Sequence, residues 1–539
     1  MASRKTNGAS GFSSHQPGAP GNASALARAV SLHLEGKPKE ALRELNAAVE
    51  RGESSPEIHS ARGFLQFELE LFEEAAKSYQ RLLELQPQHP TAPFNLAVCL
   101  EKLGRWDEAA LHFRKALTAT PDKEDARLGL GVCLLHQRQP EAALGEFERY
   151  LARKPEDETA MFGLAVAMQL LGRYPEATAL YERILERNPN SEDSLANLVT
   201  IGLATKNHDQ VRQYAERLLA VRPFSQTALE GLATCAFSSG EYDAAARYCA
   251  KLVEATPDHF ERWYNLGVAY QKLGKLEQAA QAYSEAVRVR PDAHQAYVNL
   301  GIVRQELGDW KSAREAYERA LQYAPEHAEV WFNLAGVLER LGAAGEAEKY
   351  YARLVEQRPD WPDAWFRLGF LRLEKGLHLG AADAFQQCLK LRDEWPEARF
   401  NLAIAYWRGG DHDRARDTFQ EILRRQPDSL DAMRGLASLA IEAGDQKAAL
   451  ELQAKLIDMG ERSPELFYNT GLLLQKSGQF EDAVRLYREA LSERPNFAEA
   501  LLNLGHALKA LGRQDEARFY WREALEAKPD LAQGYFDRT

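Results

Sequence analysis

The chain of 539 residues carries 45% hydrophobic, 27% charged and 9% aromatic side chains, which excludes the disordered and fibrous classes. Its formal net charge of -12 argues against nucleic acid as a partner, because phosphates require a basic face. No apolar run approaches the ~20 residues that span a bilayer, so no membrane partner is expected.

From the N-terminus, residues 1–21 are rich in Gly, Ser, Ala and Pro and read as a flexible tail. The short basic start lacks the apolar segment of a secretory signal, so the sequon at Asn22 carries no weight. A strict period follows. Proline recurs at 87, 121, 155, 189, 223, 257, 291, 325, 359, 427, 495 and 529, every gap being 34 or a multiple of it. The two skipped slots hold Asp393 and Glu461, and one step back from Pro87 lies Glu53. Fifteen units therefore occupy 22–531 without insertion or deletion, with the phase mark at position 32 of each.

The remaining positions read as two packed helices. Position 8 is small, as in Gly63, Gly131, Gly267, Gly301, Gly369, Gly471 and Gly505, and position 20 is alanine in fourteen units. Small side chains there let helices approach closely. Position 24 carries an aromatic ring in eleven units, among them Tyr79, Phe113, Phe147, Tyr283, Tyr317, Phe385 and Trp521, long enough to reach the next hairpin. Glycine at position 15 in twelve units, such as Gly104 and Gly308, stops the first helix; the recurrent proline ends the second.

Repeat 6 (192–225) departs most. It has Val199 and Val211 at the close-approach positions, Lys206-Asn207 in the turn and Ala215 where a ring belongs, which reads either as simple drift of the repeat or as a looser or bent segment separating an N-terminal from a C-terminal part.

In repeat 8, the stretch 263–292 brings Trp263, Leu266, Gly267, Tyr270, Ala279, Tyr283, Ala286 and Pro291 together in one unit. In these residues the chain resembles the tetratricopeptide repeat family, over about 22–531. The resemblance implies an all-α α-solenoid, a right-handed superhelix of fifteen helical hairpins whose first helices line a concave groove. It also places position 6 on that groove, where eight units carry asparagine: Asn95, Asn197, Asn265, Asn299, Asn333, Asn401, Asn469 and Asn503. An amide offers both donors and an acceptor, so a ladder of them can hold a peptide backbone while asking little of its sequence. The array is similar to the asparagine ladder of O-linked N-acetylglucosamine transferases, but the catalytic domain of that family is missing. Four units carry glycine instead (Gly129, Gly163, Gly231, Gly435), and the three that precede Asn265 interrupt the ladder before it.

Position 5 often adds a ring, in Phe94, Phe162, Tyr264, Phe332, Phe366, Phe400 and Tyr468. Such rings serve either as apolar anchors for a peptide or as hairpin packing. Position 2 is acidic in ten units, including Glu261, Glu329, Asp363, Glu397, Glu465 and Glu499, which suits a helix N-terminus and tilts the groove toward basic segments. No set of lysines, arginines and asparagines forms the clamp that holds an acidic C-terminal tail.

A catalytic constellation is not found. There is no CxxC, no HExxH and no phosphate-binding glycine loop, so neither metal nor cofactor is expected. Asp411-His412-Asp413 lies in a turn and reads as a solvated loop. Five scattered cysteines (Cys99, Cys133, Cys235, Cys249, Cys388) do not make a disulfide framework and suggest a reducing, cytoplasmic setting.

At the C-terminus, 532–539 starts another first helix with Tyr535 at the ring position but does not complete a cap, so self-association through this end is expected. The leading reading is a non-catalytic scaffold for extended segments of other proteins. The alternatives are a module presenting substrates to a separate glycosyltransferase or similar enzyme and, disfavoured by the charge, an RNA-binding helical array.

Overall fold

A computed structural model of the chain describes residues 24–534. The expectations for the tail at 1–21, for Asn22 and for Tyr535 lie outside the described residues. The described residues form thirty α-helices and one short 3₁₀ turn, Pro529–Gly534, with no strand. They divide between two compact bodies, with the boundary between Leu273 and Gly274, in the turn between the helices Phe260–Lys272 and Leu276–Val289. Each body is an all-α solenoid in which one hairpin follows another in the 34-residue register.

The register is built from local stops. In repeat 9 the first helix, His294–Glu306, ends at Gly308, whose φ of +75° only glycine adopts without strain. The Gly308 N–H donates to the Gln305 carbonyl at 3.0 Å and the Asp309 N–H to the Arg304 carbonyl at 2.9 Å, closing the helix end with paired bonds. Asp309 Oδ1 then accepts from the Ser312 N–H at 3.2 Å and starts the second helix, Trp310–Tyr323. Three repeats hold the same left-handed turn with an ordinary side chain, at Glu70 (φ 60°), Arg138 (φ 58°) and Lys206 (φ 56°). The left-handed conformation costs a side-chain-bearing residue ~1–2 kcal/mol, part of which glycine returns as extra freedom of the unfolded chain. Replacing each with glycine is expected to stabilise the chain by about 0.5 kcal/mol, read as a later urea midpoint.

The phase-mark substitutions have structural reasons. Where Glu53 and Glu461 replace proline, the preceding glycines, Gly52 (φ 92°) and Gly460 (φ 90°), stop the second helix instead. Glu461 also accepts from Arg434 Nε at 2.9 Å. Asp393 clamps two arginines of the following repeat: Arg399 Nη2 reaches its Oδ1 at 2.5 Å and Arg425 Nη1 its Oδ2 at 2.8 Å. The Arg425 guanidinium holds the Asp393 carboxyl below the usual carboxylate range. Trp263 Nε1 donates to the Pro257 carbonyl at 2.7 Å and Trp365 Nε1 to the Pro359 carbonyl at 2.9 Å, satisfying acceptors that the ended helices leave open.

Packing follows the small and large positions. A Cβ added at Gly301 would lie 2.5 Å from the Tyr317 ring, at Gly471 2.7 Å from Tyr487, and at Gly63 2.8 Å from Tyr79. Position 8 is therefore small to seat the ring of its own second helix, and Tyr317 and Tyr487 are fully buried as a result. In repeat 6 the missing ring is replaced by two valines. Val199 and Val211 are fully buried, and a Cβ at Gly231 would meet them at 2.8 and 3.0 Å. One apolar core runs through this repeat without interruption, from Ala75 to Cys235.

Within each body the first helices of several successive repeats touch one another, for example Glu124–His136 with Glu158–Leu170 and Pro362–Glu374 with Pro396–Arg408. Successive second helices make no comparable contact among the described residues. The first helices of these repeats thus approach one another more closely than the second helices do, and positions 5 and 6 lie on the first helices.

Candidate functional site

The eight expected asparagines all sit on first helices, each 16 residues after the ring position of the preceding repeat. Asn265 and Asn469 are exposed; Asn95, Asn197, Asn299, Asn333, Asn401 and Asn503 are half-buried. Several are anchored. Asn299 Nδ2 donates to the Tyr283 hydroxyl at 3.4 Å. Asn503 Nδ2 donates to the Tyr468 hydroxyl at 3.1 Å and to the Glu499 carbonyl at 2.9 Å, whereas Asn197 Nδ2 donates to the Asp193 carbonyl at 2.9 Å.

This contact exposes a rule across repeats. Five of the six position-24 tyrosines are followed 16 residues later by asparagine: Tyr79 by Asn95, Tyr181 by Asn197, Tyr283 by Asn299, Tyr317 by Asn333 and Tyr487 by Asn503. Three of the four phenylalanines are followed by glycine instead: Phe113 by Gly129, Phe147 by Gly163 and Phe419 by Gly435. A Cβ at those glycines would lie 2.4, 2.4 and 2.5 Å from the ring tip, so the phenyl group presses against the next helix backbone. A hydroxyl driven into that space would be buried without a partner, at a cost of ~1–3 kcal/mol. Three of the four glycine gaps in the amide ladder are thus packing sites for phenylalanine, and the fourth, Gly231, packs against Val199 and Val211. Phe385, followed by Asn401, and Tyr351, followed by Arg367, depart from the rule.

The position-5 rings are half-buried and packed inside their own hairpins. Ring centroids lie 6.0 Å apart for Phe94 and Phe113, 5.6 Å for Phe162 and Tyr181, 5.9 Å for Phe400 and Phe419, and 6.0 Å for Tyr468 and Tyr487. Phe332 lies 5.7 Å from Tyr351 and 5.2 Å from Trp361; Phe366 lies 5.8 Å from Phe385 and 4.6 Å from Trp395. Tyr264 stacks on Phe260 at 5.7 Å. Arg392 sits over Trp395 at 4.5 Å, capping that stack with a cation. Each ring is a packing element that still shows part of its surface.

A row that the sequence reading did not single out runs beside them at position 9. Val98, Val132, Val166, Ile302, Phe370, Ile404 and Leu472 are all half-buried. Their signal was available, since residues three and four apart share a helix face with positions 6 and 5. The acidic position 2 is largely neutralised in place. Asp363 lies 3.2 Å from Arg392, Glu465 2.5 Å from Arg494 and Glu499 2.8 Å from Lys528, the ammonium holding the Glu499 carboxyl below its usual range.

Asp411 caps a helix, accepting from the Arg414 N–H at 3.1 Å; Asp413 pairs with Arg416 at 2.9 Å and His412 lies 3.7 Å from Glu442. All five cysteines are buried, and burial pushes the thiols of Cys99, Cys133, Cys249 and Cys388 up to about 12. Among the described residues no three potential ligands are grouped to hold a metal ion, and no helix is long and apolar enough to cross a membrane.

No curated protein matches the chain. Among solved structures it is similar to YrrB, described as a TPR protein with an unusual peptide-binding site, at 23% identity and a TM-score of 0.33, over 35% of this chain and 98% of that one. It is similar to a tetratricopeptide repeat protein from Parabacteroides merdae at 21% identity and 0.32, over 47% and 98%. The Cut9-Hcn1 hetero-tetramer of the APC/C is similar at 15% identity and 0.31, over 85% and 98%. Tetratricopeptide repeat models match residues 61–124, 203–260, 298–362, 344–399 and 400–464, then 103–165, 134–202 and 474–534, then 260–293. With the register, the hairpins and these matches in agreement, the chain belongs to the tetratricopeptide repeat family.

Proposed function

We propose that this chain is a protein-interaction scaffold that takes extended segments of partner proteins along the inner faces of its first helices. The observation that carries the reading is the recurrence, one or two repeats apart, of half-exposed amides beside half-exposed rings and aliphatic side chains. Asn299, Asn333 and Asn401 are placed this way, with Ile302, Phe332, Phe400 and Ile404 beside them. An extended peptide needs partners for its own N–H and C=O groups and surfaces for its side chains, and this arrangement supplies both. Because Asp363, Glu465 and Glu499 are already paired, recognition through the peptide backbone outweighs recognition through charge.

The test uses the full chain and a peptide chosen from a display selection on it. Changing Asn299, Asn333, Asn401 and Asn469 together to alanine is expected to weaken that peptide at least about tenfold. Each lost backbone bond is worth ~0.5–1.5 kcal/mol and every 1.4 kcal/mol is tenfold. Unchanged affinity in that variant, folded by circular dichroism, would move the binding surface elsewhere.

A further inference from the structure

The corner where position 5 meets the end of the second helix holds rings and a cation in several repeats. In repeat 10 Phe332 stacks on Trp361 at 5.2 Å, with Arg358 5.7 Å from the Trp361 ring. Repeat 11 stacks Phe366 on Trp395 at 4.6 Å, with Arg392 at 4.5 Å. Repeat 14 places Tyr468 4.9 Å from Phe497, with Arg494 5.0 Å from the Phe497 ring. In repeat 3 the cation is Lys123, 4.1 Å from the Phe94 ring. Repeat 6 leaves this corner open. Its position 5 is Ala196, and a cavity of about 270 Å³ lies between that residue and Phe224. Phe224 stands at position 33, which is polar in the other fourteen units. Its ring is 60% exposed, with neither a ring nor a cation against it.

The charge around the cavity is unbalanced. Glu192 and Asp193 line it from the start of the first helix, and Arg222 is the one cation among its lining residues. In repeat 11 the position-31 cation Arg392 pairs with position 2, Asp363. In repeat 6 Arg222 pairs with position 1 instead, Glu192 at 3.5 Å. The exposed Asp193 carboxylate is left with no ion-pair partner among the described residues. An exposed ring, an unpaired carboxylate and room for a side chain therefore adjoin one another. A guanidinium suits all three, since its plane lies on an aromatic face and its N–H fork pairs with a carboxylate. Its methylene stem can run along Ala196. An ammonium would supply the charge without the plane.

We propose that this corner of repeat 6 receives an arginine side chain of a partner protein, laid on the Phe224 ring and paired with Asp193. The partner then supplies the cation over a ring that repeats 10, 11 and 14 supply from their own position 31. The inference rests on the scaffold reading above and names a side chain that the partner carries, without depending on the asparagines.

The experiment uses the full chain and peptides selected on it from a display library with arginine fixed at the central residue. Exchanging that arginine for citrulline keeps its shape, removes its charge and is expected to weaken binding about fivefold. Asp193→Asn and Phe224→Asn should each weaken the arginine peptide about threefold and cut its advantage over citrulline below about twofold. Asparagine already stands at position 33 as Asn190 and Asn496, so Phe224→Asn suits the fold. Ala196→Phe places in the corner the ring that seven repeats carry at position 5, and should exclude the arginine peptide without lowering the melting temperature. Equal binding of the arginine and citrulline peptides overturns the proposal. So does an arginine preference that survives in both Asp193→Asn and Phe224→Asn. If the preference depends on Asp193 and Phe224 while the four-asparagine variant binds as the parent does, the amide reading falls and this corner stands.

Discussion

Replacing Phe147 with alanine is expected to remove about 3–5 kcal/mol of stability, at the upper end for a core phenylalanine. The ring is fully buried and lies between two glycines of two different repeats. A Cβ at Gly131 would lie 2.8 Å from its Cε1, and one at Gly163 only 2.4 Å from its Cζ. Both neighbours have already given up their side chains to seat the ring, so neither can relax into the space it leaves. The cavity would join the hairpin Glu124–His136/Pro140–Leu151 to the next first helix, Glu158–Leu170. Because a repeat array is held by nearest-neighbour interfaces, the loss should appear as a local separation at this junction before global unfolding. Hydrogen exchange would show protection falling first between residues 124 and 170. A urea titration would show a stability change below about 1 kcal/mol only if the backbone closes on the cavity, which would refute the seating argument.

Much of the fold was legible because each of its decisions is local. Proline at position 32, glycine at position 15 and small residues at positions 8 and 20 act within one hairpin, so reading one repeat reads most of them. Asp393 and Glu461 could be seen as exceptions but not explained, because their partners, Arg399, Arg425 and Arg434, come together only when the chain folds. The asparagines were placed on the right helices, but their neighbours were not. The Asn299 amide meets the Tyr283 hydroxyl 16 residues upstream on the second helix of the previous repeat, a distance that no single-helix period reports. The correlation itself was present in the sequence, in Tyr79 with Asn95 and Phe113 with Gly129, and it needed a hypothesis about lag to be noticed. The acidic position 2 was read as a helix-terminus device with a pull on basic ligands; the arginine or lysine at position 31 of the same repeat accounts for its charge in Asp363, Glu465 and Glu499.

Repeat 6 supplies the second large effect, and its sign runs against the family pattern. Restoring the missing ring by Ala215→Phe is expected to destabilise the chain by about 1–3 kcal/mol, the usual range for overpacking a filled core. Ala215, Val199 and Val211 are all fully buried, and the two valines occupy the volume that a position-24 ring fills elsewhere. The fit is tight on two sides: a Cβ at Gly202 would meet Val211 Cγ2 at 2.8 Å, and one at Gly231 would meet Val199 Cγ1 at the same distance. Adding the ring while changing Val199 to glycine and Val211 to alanine recreates the arrangement of Gly131, Ala143 and Phe147, with Gly231 standing where Gly163 does. The triple variant is expected to recover most of the loss, so that the three changes are strongly non-additive, as contacting residues are. Urea midpoints of the single, double and triple variants measure the coupling. Additive losses would mean that the valines and the ring do not compete for one space, and that repeat 6 is loosely packed as its sequence first suggested. Recovery would mean that the repeat has exchanged one large side chain for two of middle size at constant volume.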